Sequence, residues 1–220
     1  QAARQRKREV ANPDKLRTGL QSPELDTYLE ARARALTHGP YVVPHLLPLL
    51  TGKGPKAQKV VGRTMSTLTD IGRQATLPLI AALESQDDVL KIRVVNVLGQ
   101  VGDERAVPAL LALRGSEQTS QTLKDAVADA VKNITGKMAG SLRSAPTHYA
   151  DLIHAYLIEN AEKVGYVFGH WAEVWDWNPD GKRLEDRLVY DLVPSFLYSQ
   201  RQGPAFALQA LELAPGNRRL

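Results

Sequence analysis

Leu47-Pro48-Leu49-Leu50, Leu77-Pro78-Leu79-Ile80 and Val107-Pro108-Ala109-Leu110 are one apolar phrase written three times at a spacing of thirty residues. Self-similarity at a period of about 20–50 residues marks a repeat architecture, whose units bury their apolar faces against one another. Such folds present surfaces for binding more often than enclosed catalytic pockets. Proline is tolerated in the first turn of a helix, where its missing N–H has no partner to lose, so each proline should open or kink the first helix of a hairpin.

The flanking residues extend the pattern. After Pro48, Thr51-Gly52-Lys53-Gly54-Pro55 reads as a loop, and Val60, Val61, Met65, Leu68 and Ile71 give one face of a second helix ending at Gly72. After Pro78, Ser85-Gln86-Asp87-Asp88 supplies a turn and an N-cap, and Val89, Leu90, Ile92, Val95, Leu98 and Val101 lead to Gly102, thirty residues after Gly72. After Pro108 the loop Gly115–Ser120 is longer, and Leu123, Ala126, Val127, Ala130, Val131 and Ile134 run to Gly136. The step from Gly102 to Gly136 is 34 residues, so this loop has gained four.

These phrases resemble the short HEAT-like repeat family. Asp87-Asp88-Val89-Leu90-Lys91 and Val97-Leu98-Gly99-Gln100-Val101-Gly102 are similar to its D-x-x-V-R and A-L-G-x-I-G signatures, with Lys91 in the arginine place. Repeat three has Leu123-Lys124 there and Ser120 in the place of Asp87, while repeat one has Val60-Val61 and no basic group. The resemblance covers residues 41–136, with a degenerate hairpin at 23–38. It implies an all-α solenoid whose second helices line the concave surface. It says little of function, because such arrays serve many unrelated binding roles.

The second half has a different composition. Eleven of the thirteen aromatic residues lie between Tyr149 and Phe206. The expected organisation is a basic arm at 1–20, the repeat solenoid at 21–136, a linker at 137–147 and an aromatic-rich helical module at 148–220. Within that module Tyr149–Tyr166 and Leu184–Tyr198 read as helices, the latter kinked or split by Pro194, and Pro204 is expected to start a last helix. Ala207–Asn217 resembles the closing phrase of a tetratricopeptide repeat through Ala210, Pro215 and Asn217. The places for that family's Gly and Tyr hold Asp191 and Pro194.

The pI is 9.3. Residues 1–17 carry six basic and two acidic groups, which is the whole net charge of +4; the remaining 22 basic and 22 acidic groups cancel. Phosphate binding is thereby disfavoured for the repeats and all that follows. No cysteine is present, which excludes disulfides, thiolate metal sites and cysteine nucleophiles. The chain begins at Gln1 without an initiator Met, so a processed product or an excised segment is expected. The longest apolar run, Tyr41–Leu50, falls far short of the ~20 residues that span a bilayer.

No nucleophile elbow, phosphate loop or dinucleotide fingerprint occurs, so catalysis within the chain is not expected. Asp176-x-Asn178-x-Asp180-Gly181 matches the first half of a calcium loop, but Arg187 stands where the closing bidentate Glu belongs. The alternative is a turn between helices, or a short hairpin, with the tryptophans packed nearby. His148, Asp151 and His154, and the pair His170 and Glu173, have loose spacings that suit helix surfaces better than metal ligation. No cofactor or metal is expected.

The partner-binding candidates are Lys56, Lys59 and Arg63, one stripe opposite the apolar face of the second helix of repeat one, with Arg93 thirty residues on, and exposed parts of Trp171, Trp175 and Trp177. A basic stripe suits an acidic peptide, and aromatic side chains anchor interfaces. The expected role is a non-catalytic protein–protein interaction scaffold. The alternatives are a regulatory segment of a larger enzyme lying outside these residues, and a nucleic-acid-binding array.

Overall fold

Four helical hairpins stack in succession in the computed structural model, which describes residues 10–164 and 170–213. Their first helices are α1 (Pro13–Gln21), α3 (Val43–Leu50), α5 (Thr76–Ala82) and α7 (Val107–Gly115). Their second helices are α2 (Leu25–His38), α4 (Pro55–Ile71), α6 (Asp88–Val101) and α8 (Gln121–Thr135). The first helices have only seven to nine residues, too few to be stable alone, so packing must hold them. The predicted apolar positions supply that packing: Leu47, Leu68, Leu79, Leu98, Leu110 and Leu123 are all inaccessible to solvent.

The array starts earlier than the composition implied. The side chain of Asn12 accepts the Lys15 N–H at 2.9 Å and opens α1 within the stretch read as a basic arm. Leu16 and Leu20 then enter the common core. The basic residues Arg4–Arg8 lie outside the described residues.

Each second helix ends at a glycine with positive φ: Gly39, Gly72, Gly102 and Gly136. A Cβ would strain that left-handed geometry, so glycine is the residue that stops the helix and turns the chain back. The spacing from Gly39 to Gly72 is 33 residues, three more than the next step. Those extra residues change the role of Pro48. Pro44 occupies the opening turn of α3 and Pro48 lies inside the helix, whereas Pro78 and Pro108 sit in first turns. Pro48 therefore has no N–H to give its helix, and α3 ends two residues later at Leu50.

Two details explain the close stacking of the second helices. A Cβ built on Gly99 would lie 2.8 Å from Ala130 Cα, so α6 and α8 touch backbone to backbone there. Gly99→Val should cost about 1–3 kcal/mol by overpacking. Chemical denaturation would show it, and Ala130→Gly should restore part of the loss. Thr64 and Thr67 are fully buried on α4, and their hydroxyls donate to the carbonyls of Val60 and Arg63 at 2.8 Å. The helix itself satisfies these buried polar groups.

Beyond α8 the chain forms α9 (Ala145–Leu157), a helical turn α10 (Ala161–Val164), β1 (Trp171–Trp177), β2 (Leu188–Pro194) and α11 (Tyr198–Leu213). The fold is mostly helical, as expected, with this small antiparallel sheet added. The helix expected over Leu184–Tyr198 is corrected: its middle, Leu188–Pro194, is a strand with a helical turn on either side. Its two ends meet different cores, Leu188 that of the repeats and Val193 that of the final helices, while Val189, Asp191 and Leu192 between them are exposed. Pro194 ends the strand and kinks no helix, because the last residue of a two-stranded edge need not donate to a ladder. The last helix starts at Tyr198 and runs through Pro204, six residues before the expected start. Pro215 and Asn217 of the tetratricopeptide-like phrase lie outside the described residues.

The two faces of the β-hairpin serve two cores. Trp175, Trp177 and Leu188 pack into the core of the repeats. Ala172, Val174 and Val193 pack against a second core of Tyr149, Tyr156, Tyr198 and Phe206, built by α9 and α11. The hairpin is thus a wedge between the array and the final helices.

The C-terminal half also runs back along the first-helix face. α9 packs on α7, β1 on α5, and the turn Leu184–Asp186 on α3. At the far end Glu185 accepts from Arg17 of α1 at 2.8 Å. One strap therefore touches all four hairpins.

Candidate functional site

The strap leaves an opening of about 1200 Å³ between itself and the repeats. One wall is formed by Leu77, Ile80 and Glu84, from α5 and its C-terminal end, together with Ala109 and Ala112 of α7. Tyr149 lines it from α9, Val174 to Trp177 from β1, and Gln202, Phe206, Gln209 and Glu212 from α11. Its charged groups are the acids Glu84, Asp176, Asp191 and Glu212 and the bases Arg187 and Arg201. The pKa of Glu84 is raised, first by partial burial between the walls and then by the negative charges of Glu212 and Asp176. The Oε1 atoms of Gln202 and Gln209 are buried and have no hydrogen-bond partner among the described residues. Gln202 as a whole is only 6% exposed. A buried acceptor without a donor is costly, and most native acceptors find one.

One end of the strap is held by a buried ion pair. The Asp103 and Arg105 side chains are 1% and 8% exposed. Asp103 accepts from Arg105 Nε at 2.9 Å and Nη2 at 2.6 Å, and from Thr76 Oγ1 at 2.9 Å. Burial by itself would raise the Asp103 pKa; the hydrogen bonds and charge of Arg105 override it and hold the carboxyl below the usual range. Arg105 also donates to the Arg73 carbonyl at 2.8 Å and to the Val164 carbonyl at 3.1 Å. It therefore ties together two repeat junctions and α10.

The predicted basic stripe is partly consumed by the fold. Arg63 donates to the Ser22 carbonyl at the end of α1, and its guanidinium lies 4.1 Å from the Tyr28 ring centroid. Arg93, thirty residues on, donates to the Leu50 carbonyl and, at 2.8 Å, to the Gly52 carbonyl at the end of α3. Each arginine thus caps the C-terminus of the preceding hairpin's first helix, where carbonyls lack helical partners. Lys59 is exposed, and the Lys56 side chain lies outside the described set.

The tryptophans separate by role. Trp175 packs with Tyr190 and Tyr41 at centroid distances of 4.8 and 6.4 Å, and Trp177 is half-buried beside it. Trp171 is 44% exposed. Glu173 accepts from the Tyr41 hydroxyl. The short-hairpin reading of the calcium-like segment is the one found. Asn178 Oδ1 accepts the Asp180 N–H, and Arg187 Nε donates to the Gly181 carbonyl at 2.9 Å, so the cation of the closing position is a side chain of the loop itself. Asp151 pairs with Arg143. Among the described residues, no group of three or more His, Asp or Glu side chains is placed to hold a metal, and no helix is long and apolar enough to cross a membrane.

The cleft had no signature in the sequence. Glu84 and Glu212 are 128 positions apart and only the strap's return brings them together. The phrase Gly102-Asp103-Glu104-Arg105 stood next to a recognised cap and was the one visible trace of the buried pair.

Residues 90–114, spanning most of α6 and of α7, match the PBS lyase HEAT-like repeat family. That match supports a HEAT-like repeat for this segment, and further helical hairpins stack beside it. A comparison with curated proteins returned no match. Repeats of this kind form interaction surfaces as stacked helices. The most buried polar residues of the matched segment, Asp103 and Arg105, are engaged with each other.

Proposed function

We propose that the chain is a non-catalytic protein-interaction module that receives a segment of a partner protein. The observation that carries this reading is the opening between strap and repeats, lined by apolar, aromatic and charged side chains from six separate elements. Its volume suits a peptide segment, and its aromatic walls are the kind of surface that anchors partners. The basic stripe is the second part of the proposed surface, through Lys56 and Lys59. Arg63 and Arg93 are left out of it because their guanidinium groups cap helix ends.

The test is a display of random peptides screened against the purified chain. Peptides that share a sequence pattern are expected, with affinity reduced by Trp177→Ala in the cleft or by Lys56→Glu with Lys59→Glu on the stripe. A screen that returns no enriched peptide would overturn the reading.

A further inference from the structure

We propose that the cleft between the strap and the first-helix face binds a cationic peptide segment, one that presents arginine or lysine side chains. The inference rests on the interaction role proposed above and assigns its ligand chemistry.

Charge is the first argument. Four acids and two bases line the opening, a formal balance of −2. Arg187 and Arg201 offset two of the four acids and leave two carboxylates without a counter-charge in the lining. Around Glu84 the negative charges of Glu212 and Asp176 disfavour its ionisation, with Lys91 a smaller opposing influence. A bound cation would remove that repulsion.

Unmet hydrogen bonding is the second and independent argument. The buried Oε1 atoms of Gln202 and Gln209 are both acceptors and both on the helix that lines the cleft. A guanidinium offers five donors and no acceptor, and an ammonium three donors and no acceptor. Glutamate side chains have no donor when ionised and would add charge of the wrong sign.

Aromatic faces are the third. Tyr149, Trp175, Trp177 and Phe206 all line the opening. Cations seat favourably over such rings.

The experiment uses the whole chain and three labelled probes: short peptides alternating glycine with arginine, with lysine, and with glutamate. Fluorescence anisotropy measures binding, and tryptophan emission reports on Trp175 and Trp177. The expected result is binding of the two cationic probes with a change in emission. Glu84→Gln combined with Glu212→Gln should weaken it by about tenfold or more, while Lys56→Glu with Lys59→Glu should not weaken it. Neither glutamate belongs to either core, and thermal melts of the variant check that its fold is kept. Preferential binding of the glutamate probe, or cationic binding unaffected by the double variant, would overturn the assignment. So would a sedimentation profile showing a dimer that the double variant dissolves, since the occupant would then be a second copy. Failure of the cationic probes beside a successful peptide display removes this inference and leaves the interaction role standing. Failure of both removes both.

Discussion

Arg105→Ala is expected to destabilise the protein by about 3–5 kcal/mol, because removing one member of a buried pair strands the other. Asp103 would keep Thr76 and the half-exposed Arg73, whose Nε lies 3.4 Å away. The loss reaches further than one carboxylate. Arg105 also holds the carbonyls of Arg73 and Val164, so the tie between the repeats and α10 goes with it. Urea denaturation followed by circular dichroism would measure the change. A cost below about 1 kcal/mol would mean that the pair contributes little beyond what solvent supplies.

The pH dependence gives a sharper check. In the native chain the folded-state pKa of Asp103 is depressed, so the folded state binds fewer protons than the unfolded state. Its contribution is fully present above the unfolded value of about 3.9 and is lost as pH falls through the folded value. In Arg105→Ala, burial acts on Asp103 with much less opposition and should push its pKa upward. The variant's deficit should therefore shrink on acidification, where a protonated Asp103 no longer carries a stranded charge. Replacing the pair together, Asp103→Leu with Arg105→Met, should recover much of the loss, since well-packed apolar groups often match a buried ion pair.

The second large effect is expected from Trp175→Ala, about 3 kcal/mol, near the low end for loss of a large aromatic side chain because the ring is half-buried. This ring joins Tyr190 across the hairpin to Tyr41 of the first repeat region, and its loss should loosen the hairpin from the array. The expected signature is a second transition on unfolding, with faster proteolysis in the turn at residues 178–187. Trp171→Ala, on a 44% exposed residue, should stay within about 0.5 kcal/mol. Equal effects from the two substitutions would refute the anchoring role given to Trp175.

The repeats were legible because their information is local. A proline, an apolar face and a terminal glycine recur within a few turns of helix, and each has a backbone reason to be where it is. The phase of Pro48 was misjudged for a related reason. The three extra residues between Gly39 and Gly72 lie upstream of the phrase that set the period. The strand at Leu188–Pro194 is hidden in the sequence because apolar identity and burial do not coincide along it: Leu188 and Val193 meet different cores, while the equally apolar Val189 and Leu192 are exposed. Arg63 and Arg93 looked like a surface stripe because charge and spacing were visible while the helix ends they reach, 41 and 43 residues away, were not. The cleft was the least legible part, because its walls come from residues as far apart as Leu77 and Leu213.

The strap gives the array an order of assembly. The contact of Glu185 with Arg17 joins residues separated by 168 positions, so the element that covers the first helices leaves the ribosome well after them. At a synthesis rate of roughly 5–20 residues per second, the first hairpin, complete at His38, waits about 7–30 s for Glu185. Through that interval the first-helix side of the nascent repeats stands open to water.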